Sequence, residues 1–337
     1  MFGPVLYISS MKHVLVTGGA GYIGSHTAKA LAAQGNNVIV LDNLATGHRD
    51  LARWGEFVQG DVRDADCLDR LFRSHEVEAV MHFAAASQVG ESVQKPLEYY
   101  DNNVGGSTTL LAAMARHGVQ RMVFSSTCAV YGPPFDGLLT ENHPISPLSP
   151  YAHTKRMIEQ IMADAAATGS LQYIALRYFN AAGADPEAET GERHTPETHL
   201  IPLVLQAALG LRPAITILGE DYPTPDGTCI RDYIHVSDLA QAHMLALGHL
   251  VGGGESGAFN LGNGLGASVR EVVAAASEVT ARDIPMIMGQ RRAGDSPRLV
   301  GDATRARTVL GWQPQLADIR EILATAWRWH QQEAARS

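Results

Sequence analysis

The stretch Thr17-Gly18-Gly19-Ala20-Gly21-Tyr22-Ile23-Gly24 decides the reading of the fold, because its glycines recur at G-x-x-G-x-x-G spacing between an apolar run and a helical one. Glycine at those points lets the backbone approach a pyrophosphate closely, and the following helix offers unpaired N–H donors and partial positive charge at its N-terminus. The spacing alone is weak, expected by chance about 0.3 times in a chain of this glycine content. Its surroundings carry the argument. The apolar run His13–Thr17 precedes the loop, a helical segment at 22–34 follows it, and a second run at 37–42 ends in Asp42, eighteen residues after Gly24. A carboxylate there accepts both hydroxyls of an adenine ribose and repels a 2′-phosphate, so the pattern predicts NAD rather than NADP. Asp61, after a third run, is placed to meet the adenine amino group, although a loop carboxylate needs no such partner.

Outward from this unit the alternation repeats. Apolar runs at 13–17, 37–42, 56–59, 79–83, 121–125 and 171–177 are separated by helical stretches such as 22–34, 106–117 and 149–168. Six strands joined by crossovers predict an α/β fold, a doubly wound, Rossmann-like parallel sheet. After Tyr178 the rhythm breaks into short strands and helices with Pro/Gly-rich connectors at 221–227 and 252–254, which predicts a smaller mixed α/β C-terminal substrate lobe. The expected division is a disordered lead at 1–10, an NAD-binding domain at 11–177 and a second lobe at 178–337, with room for some of its segments to return to the sheet.

Composition bounds the rest. The chain has 337 residues, 45% hydrophobic and 18% charged, too apolar for disorder and long enough for one large α/β unit with an attached lobe. Its net charge of −9 and the lack of a dense Lys/Arg run argue against nucleic acid or an anionic membrane as partner. No apolar stretch is long enough for a membrane span, and the first ten residues lack the basic start of a secretory signal. Cys67, Cys128 and Cys229 lie far apart without metal-type spacing, which predicts no disulfide framework and a reducing, cytoplasmic setting.

Of the 26 basic residues only four are lysines, and one of these closes Tyr151-Ala152-His153-Thr154-Lys155. Residues i and i+4 share a helix face, so an ammonium can stand beside a phenol. With so few lysines the Tyr-x-x-x-Lys spacing is expected by chance only about 0.1 times. A phenol acting as a base near neutrality must fall from its usual pKa near 10 by roughly three units, about 4 kcal/mol. A unit charge about 6 Å away at an effective dielectric near 20 supplies roughly 3 kcal/mol. The positive ring of oxidised NAD would supply the remainder, tying the base to a redox step. On the preceding strand end, Ser125-Ser126-Thr127 brings hydroxyls to the carboxyl edge of the sheet, where doubly wound folds bind ligands. Thr127 is the choice for bonding a reacting alcohol, against the plainer role of capping the next turn.

Together these residues resemble the extended short-chain dehydrogenase/reductase family. Longer strings are similar to the UDP-glucose 4-epimerases within it: Val89-Gly90-Glu91-Ser92-Val93-Gln94-Lys95-Pro96-Leu97-Glu98-Tyr99-Tyr100-Asp101-Asn102-Asn103, Arg177-Tyr178-Phe179-Asn180 and Arg231-Asp232-Tyr233-Ile234-His235-Val236. The likeness runs from about residue 11 to 333. It implies tightly held NAD that is reused, and interconversion of UDP-glucose and UDP-galactose through a 4-keto-hexose, with Tyr151 removing the 4-hydroxyl proton during reversible hydride transfer. Implied catalytic residues are Tyr151, Lys155 and Thr127. Implied NAD contacts are Gly18, Gly21, Tyr22, Ile23, Gly24, Asp42, Asn43, Asp61, Val62, Phe83, Ala84, Asn103, Ser125, Tyr151, Lys155 and Tyr178. Implied substrate contacts are Thr127, Tyr151, Asn180, His199, Leu200, Leu218, Arg231, Arg292, Asp295 and Leu299. Among these, Asn180 and the forked donors of Arg231 and Arg292 fall on the diphosphate, and Asp295 on the uridine ribose. A homodimer paired through 106–117 and 149–168 is implied as well.

The chain departs from the pattern at several points. His199 stands where an asparagine is common, Ser87 where a lysine is common near the cofactor, and Leu218 where an aromatic often lies against uracil. Leu299 holds the position whose size bears on N-acetyl sugars, so 4-epimerases of UDP-N-acetylhexosamines or UDP-pentoses stay open. A dehydratase or decarboxylase would need acids beside Thr127, where Cys128 and Ala129 stand; a non-catalytic NAD-binding regulator would not need the Tyr151/Lys155 pair. His194, Glu197 and His199 suggest a metal, but Pro196 keeps one helix from presenting all three, so the stretch reads as a loop and no metal is expected.

Overall fold

In the computed structural model, which describes residues 11–132, 137–291 and 295–336, the six apolar runs become β1 (His13–Thr17), β2 (Val38–Asp42), β3 (Glu56–Gln59), β4 (Val77–His82), β5 (Arg121–Thr127) and β6 (Gln172–Tyr178). The lead at 1–10 lies outside the described residues. The second half adds β7 (Asn180–Ala182), β8 (Ile215–Leu218), β9 (Ile230–Arg231), β10 (Tyr233–His235), β11 (Gly257–Leu261), β12 (Ala267–Ser268), β13 (Met286–Gly289) and β14 (Arg298–Leu299). Helices α1 (Tyr22–Ala33), α2 (Ala65–Ser74), α3 (Val89–Gln94), α4 (Pro96–Tyr99), α5 (Gly106–Arg116) and α6 (Pro150–Ala167) fall in the first half. Helices α7 (Leu200–Ala208), α8 (Val236–Val251), α9 (Val269–Thr280) and α10 (Ile319–Arg336) fall in the second.

Among the described residues the central sheet runs β11-β6-β5-β4-β1-β2-β3, every pairing parallel. Strand order reverses around β1, between β2 and β4, which opens a crevice at their carboxyl ends. Both faces are covered, so the inner strands read as unbroken apolar runs. Val14 and Val16 of β1 pack with Leu239 and Leu247 of α8, while Leu15 packs with Leu68, Leu110 and Ile158 on the other face. The seventh strand, β11, comes from the second half and sets Ala258 beside Ala175 of β6. Its short, glycine-led sequence has no strand signature of its own; the open edge of β6 decides its conformation.

Two elements run further than the sequence indicates. Strands β5 and β6 stay paired to Thr127↔Tyr178, so Ser126 and Thr127 are strand residues rather than turn residues. Helix α6 starts where Ser149 Oγ accepts from Ala152 N at 3.2 Å, with Pro150 in the first turn, where its missing N–H costs nothing. The smaller lobe has its own core, built from Ile201 and Leu205 of α7, Val272 and Ala276 of α9, and Ile322 and Leu323 of α10. Among the described residues no helix is long and apolar enough to cross a membrane.

Candidate active site

The glycine loop is packed against itself. Gly18 has φ +69°, and a Cβ there would fall 2.6 Å from Ala84 N; at Gly24 it would fall 2.3 Å from Gly18 O. Side chains are therefore barred from both positions, and Gly21 N closes the turn onto Gly18 O at 3.1 Å. Phe83 N and Ala84 N both donate to Thr17 O, at 2.9 and 3.1 Å, which seats the end of β4 beside the loop. Helix α1 then begins with Tyr22 and Ile23, without an acid in its first turn, so its free N–H groups keep their positive field. Tyr22 is anchored by its hydroxyl, which donates to Gly183 O at 2.6 Å, and Ile23 packs on the sheet.

Asp42 ends β2 beside this turn. Its carboxylate accepts from Ala20 N at 3.0 Å and Leu44 N at 2.8 Å, and burial pushes its pKa up against the pull of those amides. Asn43 and Asp61 are brought together, Asn43 Nδ2 donating to Asp61 Oδ2 at 2.9 Å. Asp61 is also gripped by Arg63, whose guanidinium holds its carboxyl well below the usual range. The arginine, which the sequence reading left out, thus competes for the carboxylate expected at the adenine. Val62 lies buried under Gly106, where a Cβ would meet it at 2.7 Å. Asn103, fully buried, accepts from Ala86 N at 2.8 Å and donates to Thr154 Oγ1 at 3.0 Å, clamping the segment after β4 to α6.

On α6, Tyr151 and Lys155 stand one turn apart, with Lys155 Nζ 5.9 Å from the Tyr151 ring centroid. The ammonium donates to Ser125 O at 2.8 Å and lies 4.8 Å above the Phe124 ring. Ser125 Oγ is bonded to the Tyr178 hydroxyl. Thr127 caps the next turn, its hydroxyl accepting from Ala129 N at 3.2 Å, and it lies near enough to the Tyr151 hydroxyl to draw that phenol's pKa down.

The electrostatics correct the simpler arithmetic. Burial pushes the Tyr151 phenol up to about 12, and burial pulls Lys155 down to about 7. A lysine taken as always charged beside a phenol of ordinary pKa leaves out desolvation, which penalises ammonium and phenolate alike. Ionising Tyr151 at neutrality therefore spans about five units, about 7 kcal/mol, more than one lysine supplies.

Beneath the lysine lies a group that the sequence reading missed. Glu159 continues the four-residue spacing Tyr151, Lys155, Glu159 and is 3% exposed. Its carboxylate accepts from Ser126 Oγ at 2.6 Å and from Arg177 Nε and Nη2 at 2.9 and 2.6 Å. Arg177 Nη1 donates to the Tyr131 hydroxyl at 2.9 Å, and that hydroxyl donates to Asn260 Oδ1 of β11 at 2.6 Å. The negative charge of Glu159 is the influence that raises the pKa of Lys155 against burial. The same-face spacing was a visible signal; the arginine across the sheet was not.

In the lobe, Arg231 Nη1 donates to Ile230 O and Ser296 O, both at 2.8 Å, while Nη2 is bonded to Asp295. Two residues assigned to different parts of a nucleotide are thus paired with each other. Leu299 of β14 sits opposite Arg231 of β9 and packs against Val130 and Tyr131, just past Thr127. Asn180 Nδ2 donates to Asp232 O at 3.1 Å, and Leu218 is 37% exposed on β8. His199 precedes Leu200 at the head of α7, with its imidazole turned to Glu192 and Glu197. Arg292 lies outside the described residues. The loop that admits no Cβ, the acid-free start of α1 and the carboxylate of Asp42 together fit a dinucleotide.

Residues 14–262 match the family model described as NAD dependent epimerase/dehydratase family. The chain belongs to that family. Within this epimerase family it is 51% identical to the UDP-glucose 4-epimerase of Halalkalibacterium halodurans, over 95% of this chain and 96% of that one. It is also 51% identical to that of Rhizobium leguminosarum bv. trifolii, over 94% and 97%. The UDP-glucose 4-epimerase of Brucella ovis, solved in complex with NAD, matches with TM-score 0.92 at 49% identity, over 94% of this chain and 98% of that one. That of Stenotrophomonas maltophila, solved with NAD and formylated UDP-arabinopyranose, matches with TM-score 0.94 at 41% identity, over 97% and 100%.

Proposed function

We propose that this family member is an isomerase that uses NAD to interconvert UDP-glucose and UDP-galactose at C4. The observation that carries the reading is the Tyr151–Lys155 pair beside Thr127, at the carboxyl edge of a sheet whose glycine loop fits a dinucleotide. When bound, NAD would supply a hydride acceptor for the sugar C4 and, once reduced, a hydride donor to it. Gly18, Gly21, Tyr22, Ile23 and Gly24 would hold its pyrophosphate, Asp42 its adenine ribose, and Asn43, Asp61 and Val62 its adenine. Phe83, Ala84, Asn103, Ser125 and Tyr178 would line the rest, with Lys155 on the nicotinamide ribose. In this assignment residues 11–177, joined by Tyr178, hold the cofactor and the remainder of 178–337 holds the nucleotide sugar.

Tyr151 takes the proton from the 4-hydroxyl as the C4–H bond breaks, Thr127 orients that oxygen, and Lys155 stabilises the phenolate. The resulting 4-keto-hexose must turn its other face before Tyr151 returns the proton. That requires a firm hold on the nucleotide and a loose one on the sugar, which suits Arg231, Asn180, Arg292 and Asp295 anchoring the UDP, with Leu218 against the uracil, while Leu200 and Leu299 offer the sugar only apolar contact. The cytoplasm is the compartment we assign: no disulfide joins Cys67, Cys128 or Cys229. We also assign a homodimer through α5 and α6, supported by the 45% exposure of Met157 on α6.

The test is to give the purified protein UDP-galactose without added reductant. UDP-glucose should form at constant total hexose; accumulation of a 4-keto product, or no turnover, would refute the reading. UDP-arabinose and UDP-N-acetylgalactosamine belong in the same panel, the first because a 41% identical relative was solved with a formylated UDP-arabinopyranose.

A further inference from the structure

The loop from β7 to α7 gathers Glu192, His194, Glu197 and His199, whose ligand atoms all lie within 4.8 Å of one another. Proline at position 196 rules out a helix carrying all three of the residues first considered, and the stretch is indeed a loop, but a loop can converge where a helix cannot. Glu192, absent from that first set, supplies the fourth side chain. Both carboxylates are only 6% exposed, so their two negative charges need two positive ones close by. Two arrangements balance the charge: both imidazoles protonated, or a dication held by neutral imidazoles.

The geometry favours the second. His194 Nδ1 is shut off from solvent and turned into the cluster, where it meets the two carboxylates without a well-aligned hydrogen bond. It lies 3.2 Å from Glu192 Oε1 and 3.5 Å from Glu197 Oε2. His199 Nδ1 faces the same two carboxylates, at 2.9 Å from Glu192 Oε1 and 2.9 Å from Glu197 Oε1. Ligands about 2.0–2.1 Å from a tetrahedral zinc are about 3.3 Å apart, close to the separations of both imidazoles from Glu192 Oε1 and from one or the other oxygen of Glu197. We propose that Glu192, His194, Glu197 and His199 form a binding site for one Zn²⁺ ion, held by two imidazole nitrogens and two carboxylates. By contrast the acidic group Asp185, Glu187 and Glu189 already encloses the ammonium of Lys29, at 2.7–2.8 Å from each acid, and calls for no ion.

With four protein ligands the ion has no open position, so its role is structural rather than hydrolytic. Glu192 O accepts from Trp329 Nε1 at 3.0 Å, and Arg193 pairs with both Asp50 and Glu333. The ion would therefore tie α10 and the segment after β2 to the head of α7, fixing His199 and Leu200.

The experiment uses the full NAD-loaded chain, saturated with zinc sulfate and then dialysed against metal-free buffer. Elemental analysis should find one zinc per chain. The double variant Glu192→Gln/Glu197→Gln, its folding checked by circular dichroism, should lose that zinc, and chelator should lower the melting temperature of the wild type but not of the variant. If the variant does not fold, crystals of zinc-saturated wild type measured at the zinc absorption edge decide: an anomalous peak among the four side chains supports the site. No stoichiometric zinc in the wild type, equal zinc in the folded variant, or a peak elsewhere overturns it and leaves the four groups as an ion-paired cluster.

Discussion

Arg177 and Arg231 each grip a carboxylate, one under the sheet crevice and one in the second lobe, and their surroundings differ. The Arg177 and Glu159 side chains are 7% and 4% exposed and doubly bonded, and Ser126 and Tyr131 take up remaining donors and acceptors. The Arg231 and Asp295 side chains are 14% and 22% exposed, with the guanidinium also leaning on two backbone carbonyls. A pair saturated in the interior cannot change partners without stranding a buried charge, so it serves as framework for the helix that carries Tyr151 and Lys155. A pair at the rim can exchange one anion for another at little cost, which is what recognition of a diphosphate requires.

The largest effect is on turnover: Tyr151→Phe should lower kcat by about 10³-fold or more while the bound NAD and the melting curve stay unchanged. Loss of the cofactor in that variant would make the hydroxyl a structural group. Next comes Glu159→Gln, which leaves Arg177 buried without its counter-charge; chemical denaturation should show about 3–5 kcal/mol of lost stability. If it shows less than about 1 kcal/mol, the two pairs are not different in kind. For Arg231→Lys the order of effects inverts, because a point charge replaces a fork: KM for the UDP-sugar should rise about tenfold, with stability changed by less than about 1 kcal/mol.

The remaining effect is a pH slope. Lys155 is held at about 7 in the fold by burial and returns to its ordinary value in the unfolded chain, which therefore binds more protons between these limits. Its contribution to stability thus rises with pH across that window. In protein freed of nucleotide, Lys155→Met should be more stable than wild type near pH 7, and the gap should narrow towards pH 10. A gap independent of pH would mean that Lys155 keeps its charge.

Much of this was visible in the residues themselves. The six runs that became β1 to β6, the loop Gly18–Gly21–Gly24, Asp42 and the Tyr151/Lys155 face are local patterns: strand burial, turn geometry and helical spacing act over a few residues, so the chain records them in order. The strand β11 was not visible, because Gly257-Ala258-Phe259-Asn260-Leu261 becomes a strand only against the edge of β6.

The fold class and the pairing of Tyr151 with Lys155 on one helix face were thus written in short-range spacing, where steric limits on the backbone and the period of a helix leave few choices. The partners of buried charges were not: Arg177 for Glu159, Asp295 for Arg231, and Glu192 for His194 and His199 depend on which segments meet. So did the direction of the Tyr151 shift, since desolvation is a property of the packed surroundings and has no representation in the order of residues along the chain.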